Sequence, residues 1–183
     1  GAIRRDDHPF SITSSPDSAL LSFAAKPLGD YTETLKLLIP GTHIEVEGPF
    51  GRFSYHYYKN SHQQWIAGGI GITPFMSMLR SLSTTHTYNV TFVYCVKDRS
   101  EMLFTQELQT LQATLPNIKL QVWASSELGR LTGDGLAGLV TDLTNHEVFI
   151  CGPVPMMTAL RKQLVKKNIK NTHIHTEEFS LSN

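Results

Sequence analysis

The sequence predicts an α/β protein: a five-stranded parallel, Rossmann-like sheet preceded by part of an antiparallel β-barrel. Three observations carry this. From Gln64 onward, short apolar runs alternate with helical stretches, the pattern of a parallel sheet covered on both faces. Two of the strand ends run into glycine turns that open helices. The first 54 residues instead hold short runs bounded by Pro, Gly, Ser and Asp, with one helical interruption. The division falls between residues 1–58 and 59–183.

In the first part, strands are expected at 10–13, 20–26 and 43–47, with Asp30 to Ile39 supplying capping residues and then Leu35, Leu37, Leu38 and Ile39 as a short helix. About three strands cannot close a barrel, and an open sheet of that size leaves two edges to be covered, so further strands are expected upstream. In the second part, strands are expected at 64–67, 89–96, 118–124, 147–151 and 173–177. The helices between them show one apolar stripe each: Phe104, Leu108, Leu111 and Leu115, then Met157, Leu160 and Leu164. Lys166 and Lys167 end the last long helix, where cations favour its dipole.

Composition narrows the function. Across 183 residues, sixteen basic and sixteen acidic side chains cancel, so no net field directs the chain to nucleic acid or to an anionic membrane surface. The longest apolar run, Trp65 to Leu79, is broken by three glycines and a proline and is shorter than the ~20 residues of a spanning helix, so no membrane segment is expected. The two cysteines, Cys95 and Cys151, lack the spacing of a zinc or iron–sulfur site and read as free thiols of a reducing, cytoplasmic compartment. Eight histidines are scattered without a nucleophilic triad, and His173 with His175 lacks a third ligand, so no metal is expected.

The glycine turns carry the chemistry. Trp65-Ile66-Ala67 leads into Gly68-Gly69-Ile70-Gly71-Ile72-Thr73-Pro74 and then a helix. Glycines let the backbone approach a ligand, and the helix N-terminus presents N–H groups to an anion such as a pyrophosphate. Thr73 is a candidate cap, and Pro74 suits the first turn. The third glycine of the dinucleotide fingerprint is absent, so a purely structural turn stays open. Cys151-Gly152-Pro153 repeats the construction after the fourth strand, with Met156 on the helix that follows. Cys151 either braces a ligand in the cleft between the loops or is a small core residue.

Taken in order, His8-Pro9-Phe10-Ser11-Ile12-Thr13, Gly48-Pro49-Phe50-Gly51, Gly68 to Pro74, Cys151-Gly152-Pro153 and Glu178-Phe179 resemble the ferredoxin–NADP reductase superfamily over nearly the whole chain. The H-P-F-S opening resembles the dehydrogenase domains of NADPH oxidases and ferric-chelate reductases. The resemblance implies that residues 1–58 are part of an FAD-binding barrel and residues 59–183 an NAD(P)-binding domain. Phe10 would lie against the isoalloxazine and Ser11 would bond its N5/O4 edge, with His8, Pro9, Ile12 and Thr13 lining the same site. Lys26, Gly29, Asp30 and Thr32 belong to a stretch that resembles the family's FAD-pyrophosphate segment, a solvated surface lysine being the competing account of Lys26. Gly69, Gly71, Ile72, Thr73 and Pro74, with Cys151, Gly152, Pro153 and Met156, would hold the nicotinamide nucleotide. Phe179 would cover the flavin where nicotinamide arrives, or else is a terminal core residue.

Charge near the adenosine ribose selects the cofactor. Lys97 and Arg99 follow the second strand where an NAD site would favour a carboxylate, although Asp98 and Glu101 also form a capping pair. Gly129-Arg130-Leu131 resembles the Gly-Arg step that meets a 2′-phosphate in NADPH-using relatives. The expected cofactors are FAD and NADPH, with NADH open. Hydride transfer between nicotinamide and flavin needs the rings stacked at about 3–3.5 Å and no protein base, so positioning by Ser11, Cys151 and Phe179 is the catalytic contribution expected. The acceptor expected is the haem of a membrane ferric-reductase-like or NADPH-oxidase-like parent, of which this is the cytosolic part. The rivals are a soluble reductase serving ferredoxin, flavodoxin or a ferric chelate, and a nucleotide-binding fragment inactive alone.

Overall fold

The computed structural model describes residues 8–27 and 29–178. In chain order its elements are α1 (Asp30–Thr34), β1 (His62–Gly68), α2 (Thr73–Ser81), β2 (Asn89–Val96), α3 (Thr105–Thr114), β3 (Ile118–Ala124), α4 (Ser125–Leu128), α5 (Gly133–Ala137), β4 (Glu147–Cys151), α6 (Val154–Lys166) and β5 (Ile174–Glu177). The five strands form one parallel sheet in the order β3-β2-β1-β4-β5.

Alternation along the strands makes two cores. Trp65, Ala67, Phe92, Tyr94, Phe149 and Cys151 point to one face, where Phe75, Met76 and Leu79 of α2 and Leu108 of α3 cover them. Ile66, Val93, Val148, Ile150 and Ile174 point to the other, beneath Leu136 of α5 and Met157, Leu160 and Leu164 of α6. A strand buried on both faces reads as a continuous apolar run, which is why 64–67 and 147–151 stood out in the sequence.

Four expectations change in detail. Phe104 and Leu115 flank α3 as cap residues, with Phe104 left-handed at φ 57°. β5 begins at Ile174, because His173 closes a 3₁₀ turn. The helix expected over 30–39 is α1 followed by a 3₁₀ turn at Leu35–Leu37. Among the described residues of the first part, the three expected strands reduce to one antiparallel bridge, Ile12 to Phe23, extended by the Thr13 N–H donating to the Ser22 carbonyl at 2.8 Å. Residues 41–50 are exposed and unpaired in strand terms, since a strand exists only where a neighbour takes its backbone hydrogen bonds.

What the first part does have is anchorage on the sheet. Phe53 stands edge-on to Phe75 and Phe149, Tyr55 is buried against Trp65 with its hydroxyl 2.9 Å from Ser81 Oγ, and Tyr58 packs on Phe149 and His175. Farther up, α2 holds the bridge segment directly: Ser77 Oγ donates to the Ser14 carbonyl at 2.7 Å, and Arg80 Nη1 to the Thr13 carbonyl at 2.5 Å.

Candidate functional site: a switch-point cleft between two glycine loops

β1 and β4 are neighbours at the centre of the sheet, but the helices that follow them leave to opposite faces. This is the topological switch point, where open α/β sheets bind ligands beyond the carboxyl ends of their strands. The loops 68–73 and 151–154 meet there backbone to backbone. A Cβ on Gly71 would strike the Cys151 carbonyl group, its carbon at 2.5 Å, and Gly152 Cα at 2.7 Å. One on Gly152 would meet Gly68 Cα at 2.9 Å. Met156 Sδ and Pro153 Cδ lie 2.9 Å from where a Cβ of Gly68 would be.

Gly69 is the contrast. It has φ +54° and nothing within 4 Å of a would-be Cβ, so the turn keeps an open flank between the two helix starts. Neither α2 nor α6 carries an acidic residue in its first turn. An anion there meets helix N-termini whose first turns carry no carboxylate, so these residues fit a dinucleotide pyrophosphate. Ile72, Thr73 and Pro74 are buried behind the turn. Thr73 does not cap: it is the first residue of α2, and its hydroxyl donates to the Ile70 carbonyl at 3.1 Å.

Cys151 lies wholly within the core, and burial raises its thiol far above the ordinary range, with Glu177 adding to the shift. It is therefore a neutral packing group whose main chain shapes the cleft. Burial likewise pushes the Cys95 thiol up to about 12. Glu177 pairs with Cys151 in the β4–β5 register, and burial holds its carboxyl above the usual carboxylate range. A perturbed acid at the switch point is a functional candidate to which the sequence assigned no role; strand pairing, invisible in sequence, gives it this place.

The loops after β2 and β3 form the adjoining rim. The Ser126 N–H donates to the Lys97 carbonyl at 3.0 Å, and Arg99 makes a forked ion pair with Glu127 at 2.9–3.2 Å. Asp98 caps the turn Arg99–Glu101 by accepting from Ser100, which holds its carboxyl below the usual range. Gly129 has φ +71° and its carbonyl accepts from Trp123 Nε1, which sets the start of the Arg130 segment. Lys97 and Arg130 are exposed. The structure thus brings Lys97, Arg99 and Arg130 to one rim, with Arg99 already held by a carboxylate.

In the first part, His8 stacks on Tyr31 at 3.6 Å, and Phe10 lies near both Tyr31 and Phe23. The His-Pro-Phe-Ser segment is thereby brought to the start of α1, beside Gly29, Asp30 and Thr32. Tyr31, which carried no role in the sequence, is the joint. His8 Nε2 is buried without a partner, an orphaned polar atom that fits a ligand with a hydrogen-bonding edge. Thr13 is buried and its hydroxyl bonds Ser22. Gly29 is extended, with φ −179°, and its backbone N–H and carbonyl are both bonded by the Thr32 hydroxyl. Pro9, Lys26 and Asp30 are exposed, and Ser11 and Ile12 are half-buried. Phe179 lies outside the described residues.

The paired histidines lie at the other end of the sheet. His175 Nε2 is 2.7 Å from Glu147, and His173 contacts the second oxygen of the same carboxylate. Among the described residues there is no His, Cys, Asp or Glu group able to hold a metal, and no helix long and apolar enough to cross a membrane.

Residues 65–162 match the family described as oxidoreductase NAD-binding domain, a span holding both glycine loops and the rim. The chain belongs to that family. The chain is 35% identical over 142 residues to the ferredoxin reductase component of 3-ketosteroid-9-alpha-monooxygenase from Mycolicibacterium smegmatis, covering 76% of the chain and 39% of the relative. It is 28% identical to the glycine betaine monooxygenase reductase subunit of Chromohalobacter salexigens, covering 93% of the chain and 50% of the relative. The chain therefore spans half or less of these relatives. In fold it is similar to a ferredoxin-NADP+ reductase of Plasmodium falciparum, with a TM-score of 0.71 at 23% identity, covering 92% of this chain and 75% of that one. The five-stranded parallel sheet expected from the sequence is thus shared, as a fold, with a ferredoxin-NADP+ reductase.

Proposed function

We propose that this chain is the NAD(P)H-oxidising portion of a flavin-dependent reductase. Reducing equivalents pass as hydride from NADPH, with NADH also used, to FAD, and then as single electrons to an acceptor. The carrying observation is the switch point, where Gly71 and Gly152 admit no side chain, Gly69 leaves open space, and the two helices that start there carry no acid in their first turns. Flavin supplies the change from two-electron to one-electron chemistry when bound.

The protein's own residues orient and exclude. The 68–74 turn takes the pyrophosphate, while the Cys151-Gly152-Pro153 main chain and Met156 bound the nicotinamide. Lys97 and Arg130 take the adenosine end. His8, Phe10 and Tyr31, with Ser11, would hold the isoalloxazine, and Lys26 would supply charge to the FAD pyrophosphate. Phe179, which lies outside the described residues, would be the aromatic cover of the flavin. With no base required, the buried Cys151 thiol stays a packing group.

The relatives' names support an acceptor belonging to an oxygenase system, such as a ferredoxin or iron–sulfur centre. The His8-Pro9-Phe10-Ser11 opening favours a second reading, the haem of a membrane-bound parent with this portion on its cytosolic face. Full-length protein loaded with FAD should be bleached by NADPH under anaerobic conditions and then reduce ferredoxin faster than membrane haem. Failure of NADPH and NADH to bleach bound flavin overturns the proposal, and the reverse order of acceptors selects the second reading.

A further inference from the structure

We infer that Glu127 sets the cofactor preference of this site by competing with the adenosine 2′-phosphate for Arg99, an inference that rests on the NAD(P)H reading above. The ion pair crosses between the loop after β2 and the loop after β3, which the Ser126–Lys97 main-chain bond already joins. Arg99 Nε reaches both Glu127 oxygens, at 2.9 and 3.2 Å, and Nη2 reaches Oε2 at 3.1 Å. That forked edge of the guanidinium is the one a phosphate would take. In the same rim, Asp98 is spent on Ser100, both through its backbone N–H at 2.9 Å and through its hydroxyl at 2.7 Å. Asp98 therefore does not compete for Arg99 through that oxygen, and Glu127 does.

Exposure makes the pair exchangeable. Arg99 is 54% and Glu127 48% exposed, and an ion pair in that setting is weak, so an arriving dianion can displace the carboxylate. NADPH must then break the pair and place its phosphate beside a like charge. NADH breaks nothing, and a carboxylate is the group that accepts hydrogen bonds from unmodified ribose hydroxyls. Glu127 thus acts twice in one direction, against NADPH and for NADH, while Lys97 and Arg130 act the other way. The chain is built for a moderated NADPH preference, with Glu127 as its moderator.

The test uses the full-length, FAD-loaded protein with two readouts: kcat/KM for NADPH and NADH, and calorimetric affinity for 2′,5′-ADP and 5′-AMP. Glu127→Gln should raise the NADPH:NADH ratio about tenfold, the scale of one charge-assisted hydrogen bond gained. Affinity for 2′,5′-ADP should rise in parallel, and that for 5′-AMP should not. In the Glu127→Gln, Arg99→Gln double variant the gain should vanish. An unchanged ratio in the single variant, or a gain that persists in the double, overturns the role of Glu127 while leaving the nucleotide site standing. Wild-type protein that binds neither nucleotide overturns both.

Discussion

Gly71 shows how a single missing side chain defines this site. Its would-be Cβ collides with main-chain atoms of Cys151 and Gly152 that cannot swing aside, so Gly71→Ala must push the two loops apart. Overpacking of this kind costs about 1–3 kcal/mol, and here it also deforms the cleft. The expected outcome is a lower denaturation midpoint together with loss of nucleotide binding; a variant with wild-type binding would show that the loops do not form the site together. Cys151 gives a second prediction. Because burial keeps it and Cys95 protonated well above neutrality, neither should react with iodoacetamide in native protein at pH 8, and both should react once unfolded. Rapid native labelling at Cys151 would return it to the solvent side of the cleft. Glu177 supplies the pH dependence. Its folded pKa is raised, so its contribution to stability is fully present below the unfolded value near 4.5 and is lost as pH rises through the folded one. Glu177→Gln should therefore be more stable than wild type at pH 7 and gain nothing at pH 4, measured by urea denaturation at both.

At the scale of elements, α2 does more than follow the glycine turn. Arg80 makes a forked pair with Glu107 of α3 at 2.6 and 2.7 Å, lies over the Phe104 ring, and donates to Thr13. Its guanidinium therefore ties the first part of the chain to the sheet domain through two helices. Arg80→Ala should cost about 1–3 kcal/mol for a charged group's hydrogen bonds, and should speed proteolysis between residues 13 and 23 before global unfolding does. Unchanged cleavage there would mean that Ser77 alone holds the segment. Arg80 was not legible in the sequence, where it is one cation at the end of an apolar helix, because its partners are distant in the chain. The same reason separates what was legible from what was not. The α6 stripe and the runs at 89–96 and 147–151 declare themselves, since each is buried on its own periodicity. The run at 43–47 has the right composition but lacks a neighbour, and that at 10–13 has one only at the Ile12–Phe23 bridge; pairing decides a strand. Tyr31 and Glu127 could be found only from their contacts.

The molecule as a whole divides unevenly. Beyond the closed core of the sheet domain, exposed large apolar side chains gather in one stretch: Leu20, Leu21, Leu37, Ile39, Ile44, Val46 and Phe50. Apolar surface on that scale calls for cover, and the chain spans half or less of the relatives it matches. Residues 53–58, by contrast, belong energetically to the sheet, through Phe53, Tyr55 and Tyr58. A nucleotide that binds only the folded switch point stabilises what folds with that point, by about 2.7 kcal/mol at a hundredfold excess over Kd. In the 183-residue chain, hydrogen exchange should therefore slow by roughly a hundredfold on adding 2′,5′-ADP in β1, β2, β4 and residues 53–58, which open only with the core. The amides of residues 37–50 should exchange at the same fast rate with or without it. A matching slowdown across 37–50 would mean that the two parts unfold as one cooperative unit, and the exposed apolar stretch would then owe its order to the sheet domain.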